Sequence, residues 1–129
     1  MVNSTNPKTG EFCWGELLTS DTKKAKDFYT KVLGWDTKEL NIEDKPYTMF
    51  MTENKGFGGM MQIPGDQKDQ RPYWLNYIVV KDLMETLEKA KKLGAGILKP
   101  VTLIPEKGRF VIISDPTGAA IAFWESFLL

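Results

Sequence analysis

One plan occurs twice along this chain, and it constrains the fold more than any other feature. Phe12 to Trp35 reads FCWGELLTSDTKKAKDFYTKVLGW. Its opening apolar run, Phe12 to Leu18, suits a buried strand, and Thr19-Ser20-Asp21 supplies oxygens that can accept from the free amides of a starting helix. Ala25, Phe28, Tyr29, Val32 and Leu33 then recur with the spacing of one helical face. Gly34 ends the helix where a left-handed residue is wanted. About sixty residues later Tyr73 to Val80 is again strand-like, and Asp82 with Glu85 has the spacing of a capping box. Leu83, Thr86, Leu87, Ala90 and Leu93 form a second stripe, and Gly94 a second stop. Three extended stretches follow each glycine. An internal duplication is therefore expected.

In the first copy those stretches are Trp35 to Leu40, Tyr47 to Thr52 and Gly56 to Ile63, separated by turn-forming clusters at Asn41 to Pro46 and Glu53 to Lys55. In the second they are Gly96 to Ile104, Arg109 to Ser114 and Ala119 to Phe127. Pro100 marks an edge strand or a bulge. Asp115-Pro116-Thr117-Gly118 has the composition of a type I turn. The expected fold is α+β, with eight strands and two helices arranged as two βαβββ modules. The modules span about 12–63 and 73–127, are joined by the polar loop 64–72, and together make one domain over 1–129.

Composition narrows the function. Seventeen basic and seventeen acidic residues cancel, so no general field draws the chain to nucleic acid or to an anionic membrane. No apolar run approaches the length of a membrane span, and the N-terminus lacks a signal peptide's apolar core. A lone cysteine forms no internal disulfide and fits a reducing cytoplasm. The chain contains no histidine. Serine–histidine and cysteine–histidine nucleophile systems are thereby excluded, as is any imidazole-based zinc or iron site.

With Asp21 through Gly34 (FYTKVLGW its densest part) and Asp115 through Gly118 before an apolar strand, the chain resembles the vicinal-oxygen-chelate superfamily. That is the group of glyoxalases, bleomycin-resistance proteins and extradiol dioxygenases. The resemblance covers about Phe12 to Glu125. It implies curved mixed sheets around a cleft, and pairing into homodimers. The family's enzymes usually hold a divalent metal with four side chains, and those positions fall here on Trp14, near Gly59 to Met61, on Leu75 (or Asn76) and on Ala122. None is a histidine or a carboxylate, so no metal or other cofactor is expected.

Strand alternation extends these positions into a candidate cleft lining. Trp14 shares a face with Glu16 and Leu18, Leu75 with Tyr77 and Val79, Ala122 with Ala120 and Trp124, and Met61 with Gly59. The candidate ligand-binding residues are Trp14, Glu16, Met61, Leu75, Tyr77, Ala122 and Trp124, an aromatic, thioether and aliphatic wall with one acid. The same residues would equally serve as plain core. Glu16 is the candidate catalytic residue, because a carboxylate in an apolar strand costs free energy unless paired. It either orients a ligand or acts as a general base, or else forms a salt bridge to a lysine or to Arg109. Cys13 points to the opposite face as small packing. The glycines of Gly56 to Ile63 match neither the Walker nor the dinucleotide spacing and suit a closely packed strand.

Three functions follow. One is a metal-free, glyoxalase-like protein that binds a hydrophobic or aromatic small molecule. Another is a lyase, isomerase or oxygenase-type enzyme using Glu16 as acid or base. The last is a dimeric module whose cleft is filled by its own side chains. A homodimer in the cytoplasm is expected in each case.

Overall fold

The computed structural model describes residues 7–63 and 70–128. The expected connection at 64–72 therefore lies largely outside the described residues. The elements run β1 (Phe12–Thr19), α1 (Thr22–Leu33), β2 (Asp36–Ile42), β3 (Lys45–Thr52), β4 (Lys55–Gln62), β5 (Tyr73–Val79), α2 (Leu83–Lys92), β6 (Gly96–Ile104), β7 (Gly108–Ser114) and β8 (Ala120–Ser126). The order is βαβββ twice, and the fold class is α+β. Among the described residues no helix is long and apolar enough to cross a membrane.

The chain forms two compact units, one of Trp14–Leu75 and one built from the segments on either side of it. Each carries a mixed four-stranded sheet with the same pairing. In the first unit the order is β2-β3-β4-β1, with β1 parallel to β4 and the other neighbours antiparallel. In the second it is β5-β8-β7-β6, with β5 parallel to β8. The duplication read from the helices thus extends to the strand pairing.

Both helix starts follow from their caps. Asp21 accepts from the Lys24 amide at 3.0 Å and Asp82 from the Glu85 amide at 3.1 Å. Gly34, at φ 71°, and Gly94, at φ 101°, take the left-handed backbone that ends each helix. The Glu85 carboxylate lies 3.4 Å from Lys89 Nζ, one turn on.

The core of the first unit is Leu17, Phe50 and Met60, with Ala25, Tyr29, Trp35 and Phe57 packed against them. That of the second is Val80, Leu83, Leu87, Val111 and Ile113 under Ala90, Ile121 and Phe123. The helical stripes are narrower than their spacing suggests. On α1 only Ala25 and Tyr29 meet the core, while Phe28, Val32 and Leu33 remain 55%, 60% and 52% exposed. A single helix lying on a sheet presents a narrow line of contact, and residues on the flanks of a wide stripe miss it. Leu93 is also exposed, because it sits at the C-cap, past the last turn of α2.

Two turn signals translate directly. The Asp115 carboxylate accepts from the Thr117 hydroxyl (2.6 Å), the Thr117 amide (2.8 Å) and the Ala119 amide (3.1 Å), and the Gly118 amide closes the turn onto Asp115 O at 2.9 Å. Those bonds, the Thr117 hydroxyl first, hold the Asp115 carboxyl below the usual range. Pro100 sits on the edge strand β6, where the register with β7 slips between Ile97 and Lys99 and again between Lys99 and Thr102, the interval that holds the proline. Gly56 to Gly59 lie within β4, and a side chain on Gly58 would come within 2.6 Å of the Gly15 carbonyl oxygen. Close strand packing, not an anion loop, explains these glycines.

Candidate functional site

β1 alternates cleanly. Leu17 turns to the α1 side and joins the core, whereas Trp14, Glu16 and Leu18 turn to the other face. The register with β4 places Gly59 beside Glu16 and Met61 beside Leu18, and Met49 on β3 lies opposite Gly59. The next residue on that face of β3 is Tyr47. Its ring crosses over Gly59 toward β1, because a β-carbon at Gly59 would overlap the phenol.

Here the unit builds a hydrogen-bond chain. Trp14 Nε1 donates to Tyr47 Oη at 2.9 Å, and Tyr47 Oη donates to Glu16 Oε1 at 3.0 Å. Glu16 is 5% exposed and Tyr47 6%. Burial, then the charge of Glu16, push the Tyr47 hydroxyl far above its ordinary pKa, while the Trp14 hydrogen bond works against them. Tyr47 is therefore a neutral phenol holding its proton toward the carboxylate. Tyr73, half-buried, is raised by burial and then by the same carboxylate. Among the described residues no buried side-chain nitrogen or oxygen lacks a partner. Cys13 is half-buried, and burial pushes its thiol up to about 11, which removes the thiolate at neutral pH.

The seven residues proposed from the sequence divide between the units. Trp14, Glu16, Met61 and Leu75 belong to the first, with Leu75 fully buried and Met61 half-buried. Tyr77, Ala122 and Trp124 belong to the second, where Tyr77 pairs with Ala122 in register and Val79 with Trp124. Tyr77 lies 5.9 Å from Phe110 between ring centres. The Trp124 indole covers Gly108, where a β-carbon would come within 2.7 Å of it. Each unit thus lays an aromatic ring over a glycine on the face away from its helix.

Arg109, offered from the sequence as a salt-bridge partner for Glu16, is engaged with Glu125. Its guanidinium pairs with Glu125 at 3.0 and 3.1 Å, and the same carboxylate oxygen accepts from the Leu83 amide at 2.8 Å, at the start of α2. That placement ties Glu125 to the helix side of its sheet. The polar partner that sequence reasoning did not single out is Tyr47. Its only signal was the alternation Tyr47, Met49, Met51 along β3, since nothing local announces a contact across 31 positions.

The resemblance assigns the family's metal-ligand positions to Trp14, Leu75 (or Asn76), Ala122 and the Gly59–Met61 stretch. Trp14, Leu75 and Ala122 offer no side-chain lone pair suited to coordination. Among the described residues no three histidine, cysteine, aspartate or glutamate side chains come together to hold a metal. The donor set does not fit the metal. Two open depressions, of about 620 and 590 Å³, lie beside Trp35 at the β2 edge and along α1, and neither includes Glu16.

Residues 12–123 match the Glyoxalase/Bleomycin resistance protein/Dioxygenase superfamily, and the chain belongs to it. It is 31% identical over 121 residues to the "Putative glyoxylase CFP32" of Mycobacterium tuberculosis, a match covering 88% of this chain and 44% of that protein. With the anthracycline biosynthesis protein DnrV of Streptomyces peucetius it shares 24% identity over 128 residues, covering 89% and 46%. The chain thus spans about half the length of these curated relatives. Among solved structures, methylmalonyl-CoA epimerase from Mycobacterium tuberculosis superposes with a TM-score of 0.67 at 16% identity, covering 97% of this chain and 93% of that one. A superfamily member from Vibrio splendidus gives 0.60 at 17%, covering 92% and 100%. At such identities these structures establish the fold alone.

Proposed function

We propose that this chain is a metal-independent member of its superfamily that binds a hydrophobic or aromatic small molecule on the Glu16 face. The observation that carries this reading is the Trp14–Tyr47–Glu16 hydrogen-bond chain set among Trp14, Met49, Met61 and Tyr73, all partly exposed. Small-molecule sites combine an apolar lining with a few fixed polar groups, and this face has that composition. The anthracycline-biosynthesis name of the Streptomyces relative supports an aromatic ligand. In a thermal-shift screen of hydrophobic metabolites and antibiotics, with metal ions in separate wells, a ligand at about a hundred times its Kd should raise the melting temperature by several degrees. Metals should leave it unchanged. Stabilisation by a divalent metal, abolished in Glu16→Ala, would overturn this assignment.

A second reading is favoured by the contact between Glu16 and Tyr47. A buried carboxylate beside a neutral phenol can take a proton from a bound substrate, as in a lyase, isomerase or oxygenase-type enzyme. If so, Glu16→Gln retains ligand binding and loses turnover.

We place the protein in the cytoplasm, on its single cysteine, and read it as a homodimer. Phe28, Val32 and Leu33 on α1, together with Trp74, leave an apolar surface uncovered in the first unit, and Phe127 and Leu128 are exposed in the second. Of the aromatic-rich C-terminal segment, Phe123 packs against the α2 core and Leu129 lies outside the described residues. Sedimentation at tens of micromolar, the range of weak association, should show a dimer, and a strict monomer there would count against it.

A further inference from the structure

We propose that the Tyr73 hydroxyl is the group that hydrogen-bonds the ligand on the Glu16 face, and that it selects aromatic molecules carrying an accepting carbonyl oxygen; this rests on the ligand-binding reading above. Tyr73 opens β5 and belongs with Glu16 to the first unit. Its side follows from alternation. The next residue, Trp74, turns to the α1 side, where its ring centre lies 5.5 Å from that of Tyr29, 6.3 Å from Phe50 and 6.4 Å from Trp35. Tyr73 therefore turns the other way, to the face of Trp14 and Glu16. Its raised pKa, owed first to burial and then to the Glu16 carboxylate, agrees with that side.

What sets Tyr73 apart is an uncommitted hydroxyl. Trp14 Nε1–H is given to Tyr47, the Tyr47 proton is given to Glu16, and Glu16 has its partners within the protein. Among the described residues the Tyr73 hydroxyl makes no hydrogen bond, and no buried side-chain oxygen is without one. That hydroxyl is therefore open to solvent. A phenol shares its oxygen lone pair with the ring, so it donates better than it accepts, and a raised pKa keeps the proton in place at neutral pH. A ligand ring can rest on the partly exposed Trp14, Met49 and Met61. A ligand that covered Tyr73 without offering an acceptor would leave its hydroxyl unpaired, and stranding a donor costs more than the bond gains.

The test is equilibrium dialysis of the whole chain and of Tyr73→Phe with 2-acetylnaphthalene, 2-ethylnaphthalene and 3-methylindole: an acceptor, a hydrocarbon and a donor. The wild type should bind the ketone roughly three- to tenfold more tightly than the hydrocarbon, the range of one neutral hydrogen bond. Tyr73→Phe should bind the two alike, and its affinity for 3-methylindole should match the wild type within about twofold. The carbonyl stretch of the bound ketone should lie at lower frequency in the wild type than in Tyr73→Phe, a shift that altered packing alone would not produce. Equal wild-type affinity for ketone and hydrocarbon overturns the proposal whether or not the variant folds. So does a ketone advantage that persists in Tyr73→Phe, and both results leave the ligand-binding reading intact. Loss of 3-methylindole binding in Tyr73→Phe would make the hydroxyl an acceptor and overturn the ligand class. No binding of any probe, when other aromatic compounds raise the melting temperature, overturns the selectivity alone. Silence from every compound in both experiments removes both.

Discussion

Phe50→Ala is expected to lower the unfolding free energy by about 3–5 kcal/mol, the range for aromatic truncation in a packed interior. Phe50 is fully buried, with Trp35 at 4.9 Å, Tyr29 at 6.1 Å and Trp74 at 6.3 Å between ring centres. Those rings are held in turn by one another: Tyr29 stacks on Trp35 at 5.3 Å, and Trp74 meets Tyr29 edge-on at 5.5 Å. A cluster of interlocked planar groups closes poorly around a missing member, so most of the cavity should persist. In a domain of this size the melting temperature should fall by roughly 10–20 °C. Phe28→Ala is the matched control. Its ring touches Tyr29 at 5.0 Å but is mostly in solvent, and a cost within about 1 kcal/mol is expected. Urea unfolding of both variants decides the matter. Equal costs would mean that Phe50 is not the centre of this cluster.

The second large effect is expected at Gly59. Gly59→Ala should cost about 2–3 kcal/mol by overpacking, because the new methyl group would occupy the place of the Tyr47 phenol. The backbone there is not in the left-handed region, so conformational strain is not the cause. Removing the hydroxyl alone should not relieve the clash, since ring carbon Cε1 would also lie within 2.5 Å of the added atom. Tyr47→Phe therefore leaves the cost in place, whereas in a Tyr47→Ala background it should fall below about 1 kcal/mol. That non-additivity is the signature of direct contact. Gly15→Ala, on the neighbouring strand, has nothing within 4 Å of the added carbon and should be tolerated. If Gly59→Ala costs the same with and without the Tyr47 side chain, the ring does not cross this glycine.

The same geometry links folding to function. Displacing Tyr47 breaks the donor to Glu16 and the acceptor of Trp14 together. A buried carboxylate that loses a hydrogen-bond partner costs far more than a surface one, and its affinity for an incoming donor should rise. A glycine thus fixes one hydrogen bond of an acid one strand away.

Much of the fold was legible because its signals are local. Asp21 and Asp82 cap helices through amides three residues on, and Gly34 and Gly94 stop them through their own backbone angles. The Asp115 turn closes within five residues. Alternation along β1 was enough to set Leu17 against the helix and Glu16 away from it, because successive strand residues face opposite ways by covalent geometry. The absence of histidine likewise removed whole classes of chemistry by composition alone.

Tertiary structure decided the rest, because it depends on distances between segments far apart in the chain. Which side of the α1 stripe stays in solvent was set by the width of the line along which a helix meets a sheet, and no periodicity encodes that width. The contact of Tyr47 with Glu16 was set by register: β1 beside β4 and β4 beside β3 bring Tyr47 over Gly59, and a one-residue slip in either pairing would turn it to the other face. The sequence determined that an acid would stand in an apolar strand. Only the packing of three strands determined that a tyrosine, itself held by a tryptophan, would donate to it.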